Sequence, residues 1–568
     1  MTIVLIDGNK TPFDSLSLEQ SVYGHQTFVI NCDSKQLGRK ENYIDNDIIT
    51  EIIGKEVVIK IEDSNENDAV VKFNGLVVSA EVYKHNRSFD NITLVGKSTT
   101  VLADSFRRAE TYSDKDLGSI SKEVLKPLGK IMVDIPNDQT IEYACQYNES
   151  SFQFISRLAS KYGHWFYYDG EQTVLGDYQK KETIKMKLGS KIGSYNVSLS
   201  MIPVNSSLSH YDYINDEKYE IDALEASEPK LDKIGKALFI TSKDSFGKSE
   251  FSPSASAFKV ERDLKNFVDF EVASMAAKMC QLHGESQDSR IQIGTAIDLI
   301  DKQDNTVGTY LVINVSHSCQ GTSLYSNSFR AIPANIETPP TNPFTVVPKT
   351  PSQVATIKDN SDPDGLGRVK VLFPWQNINE TTPWIRVVNP YAGSGNLYFV
   401  PEVDDQVMVG FEFDHPDRPY VIGSVYHGKS APEYFTEKNS TKAIQTKCGH
   451  RILFEDGDES QISIVTKDEK HSIVLSLAEN GSINISTEGS LNFEAKEMNL
   501  KADNINIESL QELNIKGSEI EIEAQQAVNV KGTNASIEGT AEIGLKGAQA
   551  KLEGDAMTTI KGGMVKIN

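Results

Sequence analysis

Cysteine is scarce and unpaired in this chain: Cys32, Cys145, Cys280, Cys319 and Cys448 lie far apart, odd in number and never in a CxxC spacing. That distribution argues against a disulfide framework and fits small buried hydrophobes in a reducing compartment. Long apolar runs are missing too, so no segment has the length of a membrane-spanning helix. The first residues, MTIVLIDGNKTPFD, lack a basic region and hold only a four-residue apolar run, so no general secretion signal is expected. Basic charge is in deficit, with 57 Lys and Arg against 80 Asp and Glu and a net charge of −23. Neither a nucleic acid nor an anionic membrane surface is therefore an expected binding partner. The ten histidines are dispersed without HxH or HExxH spacing, and no His or Cys follows His471. No metal site and no cofactor is expected. A glycine-rich phosphate loop, a nucleophile elbow and a Cys/His pairing are also missing, and no carboxylate pair is marked out for glycoside hydrolysis. His450 near Glu455 reads as structural, and no catalytic residue is nominated.

What the chain does have is repetition. Units of 15 residues stack in one register: LNIKGSEIEIEAQQA (513–527), VNVKGTNASIEGTAE (528–542), IGLKGAQAKLEGDAM (543–557) and TTIKGGMVKIN (558–568), with MNLKADNINIESLQE (498–512) as a weaker copy ahead of them. Each unit holds two short runs with apolar residues at i and i+2: Leu513/Ile515 then Ile520/Ile522, Val528/Val530 then Ala535/Ile537, Ile543/Leu545 then Leu552. That alternation places the pair on one face of a strand. The last aliphatic of each run falls at 485, 493, 500, 507, 515, 522, 530, 537, 545, 552, 560 and 567, a step of seven or eight that a helix cannot sustain. The next residue alternates in charge, with Lys501, Lys516, Lys531, Lys546 and Lys561 interleaved with Glu508, Glu523, Glu538 and Glu553. Glycines at 517, 532, 539, 547, 554 and 562 predict corners at positive φ.

Burying an aliphatic contributes about 2 kcal/mol, whereas ordering one residue costs about 1 to 2 kcal/mol. A strip of strands with two inward aliphatics each cannot stand alone. It must close into a tube, either by winding with other copies of the chain or, alternatively, by coiling on itself as a solenoid. A regular needle has no pocket, which points to a mechanical part.

Residues 1–333 read mainly as strands, with helical windows at Leu117 to Leu128, Ser151 to Tyr162 and about Leu264 to Leu282, the last presenting Phe267, Phe270, Met275, Met279 and Leu282. Proline at 339, 340, 343, 348 and 351 makes 334–352 a linker. Five β-runs follow within 353–430: Val354–Ile357, Val369–Phe373, Ile385–Val388, Val407–Phe413 and Tyr420–Val425. They predict a small five-stranded barrel with Val407, Val409, Phe411 and Phe413 inward. Over 354–426 five Lys/Arg face ten Asp/Glu, so this barrel is not a nucleic-acid binder. A junction at 431–447 leads to the needle at 448–568.

The barrel residues carry a specific likeness. Asp362-Pro363-Asp364-Gly365-Leu366-Gly367-Arg368, then Trp375, Trp384, Pro401-Glu402-Val403 and Asp417-Arg418-Pro419-Tyr420-Val421-Ile422-Gly423, closely resemble the OB-fold domain of contractile-tail spikes, a family that includes VgrG, the valine-glycine repeat spike of type VI secretion. Ser150 to Leu158 and Trp165 to Asp169 resemble the matching hub segment, and Cys448-Gly449-His450-Arg451 resembles the start of the family's needle. Val-Gly pairs are few here, replaced by Ile/Leu/Val and Lys-Gly.

The resemblance implies a mainly β homotrimer: β-barrel hub domains with a few helices, an OB-fold collar and an intertwined triple-stranded β-helix. Its implied partners are a tube-protein ring and baseplate at the hub, effectors, a PAAR-repeat tip protein, and transient contact with a target membrane on firing from the cytoplasm. The tip protein would bind at Ile560, Gly562, Gly563, Met564, Val565 and Ile567. The short junction leaves no room for a lysozyme-like insert. Rival readings are a tail-spike depolymerase, whose coils would be longer and irregular, a surface adhesin, and the spike of an extracellular injection particle.

Overall fold

Alternation builds the first part of the chain. Thr2–Ile6, Ser15–Ser21, Thr27–Asp33 and Glu56–Glu62 each bury every second residue, as a pleated strand facing a core must. These strands belong to a thirteen-stranded sheet in the computed structural model, which describes residues 1–33, 50–62, 69–85, 88–136, 138–190, 192–204, 207–247, 250–256, 258, 260–458, 460–478 and 480–567, with backbone alone at 69–70, 84–85 and 88–90. The long strand Thr306–Gln320 joins the sheet's two halves, pairing along one edge with Leu324–Pro333 and along the other with Ala296–Ile300 and then Ser15–Ser21. Its side chains serve two cores. Cys319 packs with Phe28, Phe73 and Tyr168, while Tyr310 to Ile313 and Val315 pack with Trp165, Phe239 and Val272.

A third core sits beneath the helices Leu117–Val124 and Ser151–Lys161, with Ile120, Phe154, Ile155 and Leu158 at its centre. Ser151–Lys161 begins at a capping box: the Gln153 N–H donates to Ser150 Oγ and the Ser150 N–H to Gln153 Oε1, both at 3.1 Å. The window expected to run to Leu128 ends its α-helix at Val124 and finishes as a 3-10 turn, Lys126–Leu128, because Pro127 has no N–H to continue the ladder. The window expected to reach Leu282 is a helix only over Glu261–Ala276. Leu282 instead lies in Cys280–Ser286, a strand paired on both sides, so tertiary pairing overrode the helical pattern. Lys233–Phe246 is a helix that hydrophobic periodicity missed. Its ends were legible, since Asp232 accepts from the Gly235 N–H at 2.7 Å and Gly247 closes it at a φ of 65°. No described helix is long and apolar enough to cross a membrane.

The small barrel forms from the expected five runs. Lys370–Leu372, Gln353–Asp359, Gln406–Phe411 and Pro419–Ser424 pair in that order. The 385–388 run closes the ring through the bridges Val369↔Ile385 and Val387↔Val421. Val407, Val409 and Phe411 are buried as expected, but Phe413 is 57% exposed. The strand has ended by then: Phe413 and Asp414 turn at φ 54° and 56°, and the Phe413 ring lies under the Arg418 guanidinium at 5.2 Å.

The expected needle boundary at 448 falls inside a hairpin. Thr441–Gln445, Arg451–Glu455, Gln461–Val465, His471–Ser476 and Ser482–Thr487 form an antiparallel five-stranded meander. Short turns such as the one through Gly449, at φ 96°, let these strands pair locally at little cost in loop entropy.

Ser486–Asn568 forms a separate unit. It runs extended between bends at 496, 503, 510–511, 518, 525–526, 533–534, 540–541, 548, 555–556 and 563–564, and no arm pairs with another arm among the described residues. A single-chain solenoid would pair successive coils, so this arrangement does not support that alternative. The corner glycines do not adopt positive φ, contrary to expectation. They allow a close approach instead: a Cβ on Gly539 would sit 2.7 Å from the Glu542 carbonyl oxygen, and one on Gly554 2.8 Å from that of Met557.

Candidate functional site

Three features stand out: the loop that organises the barrel, the joint between barrel and hub, and the extended arms. The loop is built on one carboxylate. Asp362 accepts from the backbone N–H groups of Asp364, Leu366 and Arg368 and takes two bonds from the Arg368 guanidinium, at 3.0 and 2.7 Å. Pro363 occupies the second place of a turn closed by the Gly365 N–H on the Asp362 carbonyl at 3.1 Å. Gly365 and Gly367 sit at φ 67° and 68°, where a side chain would be strained. The Arg368 bonds hold the Asp362 carboxyl well below the usual carboxylate range, against the opposing effect of burial. A depressed carboxylate stabilises above its unfolded pKa and loses that contribution as pH falls below about 4. Asp362→Asn should therefore cost about 1 to 3 kcal/mol at pH 7 and flatten the loss of barrel stability below pH 4, as read from melting curves across pH.

Trp375 and Trp384 do not meet each other. Trp375 stacks on Phe373 at 5.1 Å, donates to Gln353 at 2.8 Å and reaches Tyr147 of the hub at 6.2 Å. Trp384 carries the Lys370 ammonium 5.1 Å over its ring.

The joint is a buried charge network that the sequence reading did not single out. Arg157, on the capped helix, donates to Glu149 at 2.7 Å and to the Cys145 carbonyl at 2.9 Å. On its other side it faces Asp417 of the barrel, 3.6 Å away, and the Cys145 N–H donates to Asp417 at 2.8 Å. All three charged side chains are at most 4% exposed. Burial alone would raise the Asp417 pKa, but Arg157, His415 and Lys161 around it hold the carboxyl below its usual range. Burial pushes His415 down to about 4, and the neutral ring's Nδ1 accepts the Asp417 N–H at 3.1 Å. Arg418 extends the joint by donating to the Ser254 carbonyl at 3.1 Å, and Glu380 accepts from Thr111 at 3.1 Å. Two segments recognised separately by likeness, 150–169 and 417–423, thus meet through one ion pair. The signal available in sequence was the charged pair Asp417-Arg418 held between Pro416 and Pro419.

The arms place Leu513, Ile515, Ile520, Ile522, Val528, Val530, Ile537, Ile543, Leu545 and Leu552 on the extended runs between bends, each 50% exposed or more. A lone chain covers none of them. Ile560, Met564, Val565 and Ile567 are exposed in the same way, beside Gly562 and Gly563.

Comparison with known proteins agrees with this division. A family model described as the phage tail baseplate hub matches residues 44–322, and one described as the type VI secretion system/phage-baseplate injector OB domain matches 353–426. The type VI secretion system spike protein VgrG3 of Vibrio cholerae is 24% identical over 368 residues, covering 58% of this chain and 35% of its own length. VgrG1b of Pseudomonas aeruginosa is 21% identical over 453 residues, 70% of this chain and 60% of that protein. The chain thus spans less than two thirds of these curated relatives. A Francisella PdpA-VgrG complex contains a chain of the same fold, with a TM-score of 0.57 at 10% identity, covering 86% of this chain and 80% of the other. Hub, barrel and both family models together place the chain: it belongs to the phage-tail hub-spike family that includes the VgrG spikes of type VI secretion.

Proposed function

We propose that three copies of this chain form the puncturing spike at the head of a contractile injection machine of the type VI secretion class, joining a tube to a tip protein and carrying effectors. The observation that carries this reading is the second unit, which runs extended between regular bends with no arm paired to another among the described residues and a row of exposed apolar side chains. Such a segment satisfies its backbone and buries its apolar row only by winding with its own copies. The family supports three as the number.

In this reading the hub accepts a tube-protein ring and the baseplate, the barrel acts as a collar, and the arms wind into a stiff three-sided needle. The driving energy comes from contraction elsewhere in the machine, so the chain contributes stiffness and alignment, with no active site of its own. Firing takes the spike from the cytoplasm through a target membrane. The arms around Ile560–Ile567 offer a PAAR-type tip protein exposed apolar side chains and unpaired backbone edges. Effector carriage is supported by the Francisella relative, whose structure is a complex with PdpA.

Light scattering on the purified chain should give about three times 62.9 kDa. A stable monomer at micromolar concentration would sink the proposal.

A further inference from the structure

The inward row of the needle has a weakness as a specifier of structure. From Leu500 to Ile560 every arm ends in Ile, Leu or Val, with a first member that is smaller only at Ala535, Ala550 and Thr558, so a chain displaced along the axis by one arm still buries an apolar layer. Little in that row tells one arm from the next.

The outward row does. Each lysine and glutamate of the alternating series follows the last aliphatic of its arm, so it points out of the tube. Glu494, after Phe493, extends the series by one arm ahead of Lys501, so ten consecutive arms alternate in sign without a break. The bends separate these arms one by one. Within the chain, Glu553 has a partner in Lys551, two residues back on the same arm.

Resting on the three-chain reading above, the geometry follows from symmetry. At any height the three faces are occupied by the same arm of the three chains, and each bend carries a chain to the next face. The arm stacked on a given arm is therefore the next one of a neighbouring chain, about 4.8 Å along the axis. A lysine layer always lies between two glutamate layers, and each contact crosses between chains. We propose that this alternation is a register ruler: a ladder of interchain Lys–Glu contacts that holds the three chains level. Displacing one chain by a single arm sets lysine against lysine and glutamate against glutamate along its whole length. The smallest displacement that restores the pairing is two arms, a full 15-residue unit.

Each contact is a surface ion pair and contributes little alone. The effect comes from repetition, and like charges directly opposite each other on paired strands are destabilising.

Two variants of unchanged composition and net charge test the order of charges rather than their number. Exchanging one neighbouring pair, Lys516→Glu with Glu523→Lys, creates two like-charge contacts per chain. Reversing all ten positions creates none between layers, although the exposed Lys551–Glu553 pair within one arm becomes like-charged. At low ionic strength the pair exchange should lower the melting temperature of the full-length trimer by on the order of 5 °C, and about 1 M salt should remove most of that loss. The fully reversed chain should melt with the native one. Equal melting of native and pair-exchanged trimers at low salt would overturn the ruler, and so would a fully reversed trimer as weak as the exchanged one. A native chain that is monomeric in the same measurement would refute the trimer reading instead.

Discussion

Asp417→Ala should loosen the barrel from the hub, at a cost of about 3 to 5 kcal/mol. The substitution leaves the Arg157 guanidinium buried with one carboxylate partner instead of two and strands the Cys145 N–H that Asp417 accepts. Since 334–352 is rich in proline, limited proteolysis there, together with an early calorimetric transition, would report the detached barrel. Arg157→Met combined with Asp417→Leu and Glu149→Gln should recover part of the loss, because no lone buried charge then remains among the three positions. If the single and triple variants melt with the native protein, the joint does not hold barrel to hub. Acid should act in the same direction. His415 is held neutral in the fold, at about 4, so its contribution is complete above its unfolded value near 6.5 and fades as pH falls toward 4. Asp417, held below its ordinary range, adds a further loss beneath about pH 4.

Val530→Asp and Lys531→Asp, one residue apart, should differ greatly. Val530 ends the apolar pair of its arm and is 83% exposed in the single chain. In the trimer it would face the axis, where an aspartate from each chain meets two others with no polar partner, at a cost of at least about 3 kcal/mol per chain. Lys531 would point outward, so its replacement turns its two ladder contacts, to Glu523 and Glu538, like-charged but leaves the apolar interior intact. The trimer should fail to assemble or melt far earlier with Val530→Asp, and shift by only a few degrees with Lys531→Asp. Equal melting of the two would place the inward register one residue away.

The glycine corners show how a correct position can carry a wrong reason. Their spacing announced the bends, and bends occur directly after Gly517, Gly532 and Gly547. Positive φ was the expected cause, whereas the close passage of a carbonyl oxygen is the actual one at Gly539 and Gly554. Which of two uses a glycine serves depends on backbone torsions that its identity leaves open.

Local order was legible in much of the chain, the helix Lys233–Phe246 excepted. Period-two alternation marked the small barrel's strand at Val407 to Phe411, the turn residues Asp362 to Gly367 marked its loop, and the window from Ser151 marked a helix, because each is a matter of neighbouring residues meeting their own backbone. The 15-residue repeat marked the arms for the same reason. Contacts between distant segments were not legible. That Leu282 belongs to a strand rather than to the end of a helix was decided by the two strands flanking it, and that 448–487 pairs within the chain was decided by successive hairpins. That Asp417 meets Arg157 required folding to bring together residues 260 positions apart in sequence. Periodicity is a property of adjacent residues and survives in the sequence alone. The partner of a buried charge is set by which surfaces pack, and only the tertiary structure decides that.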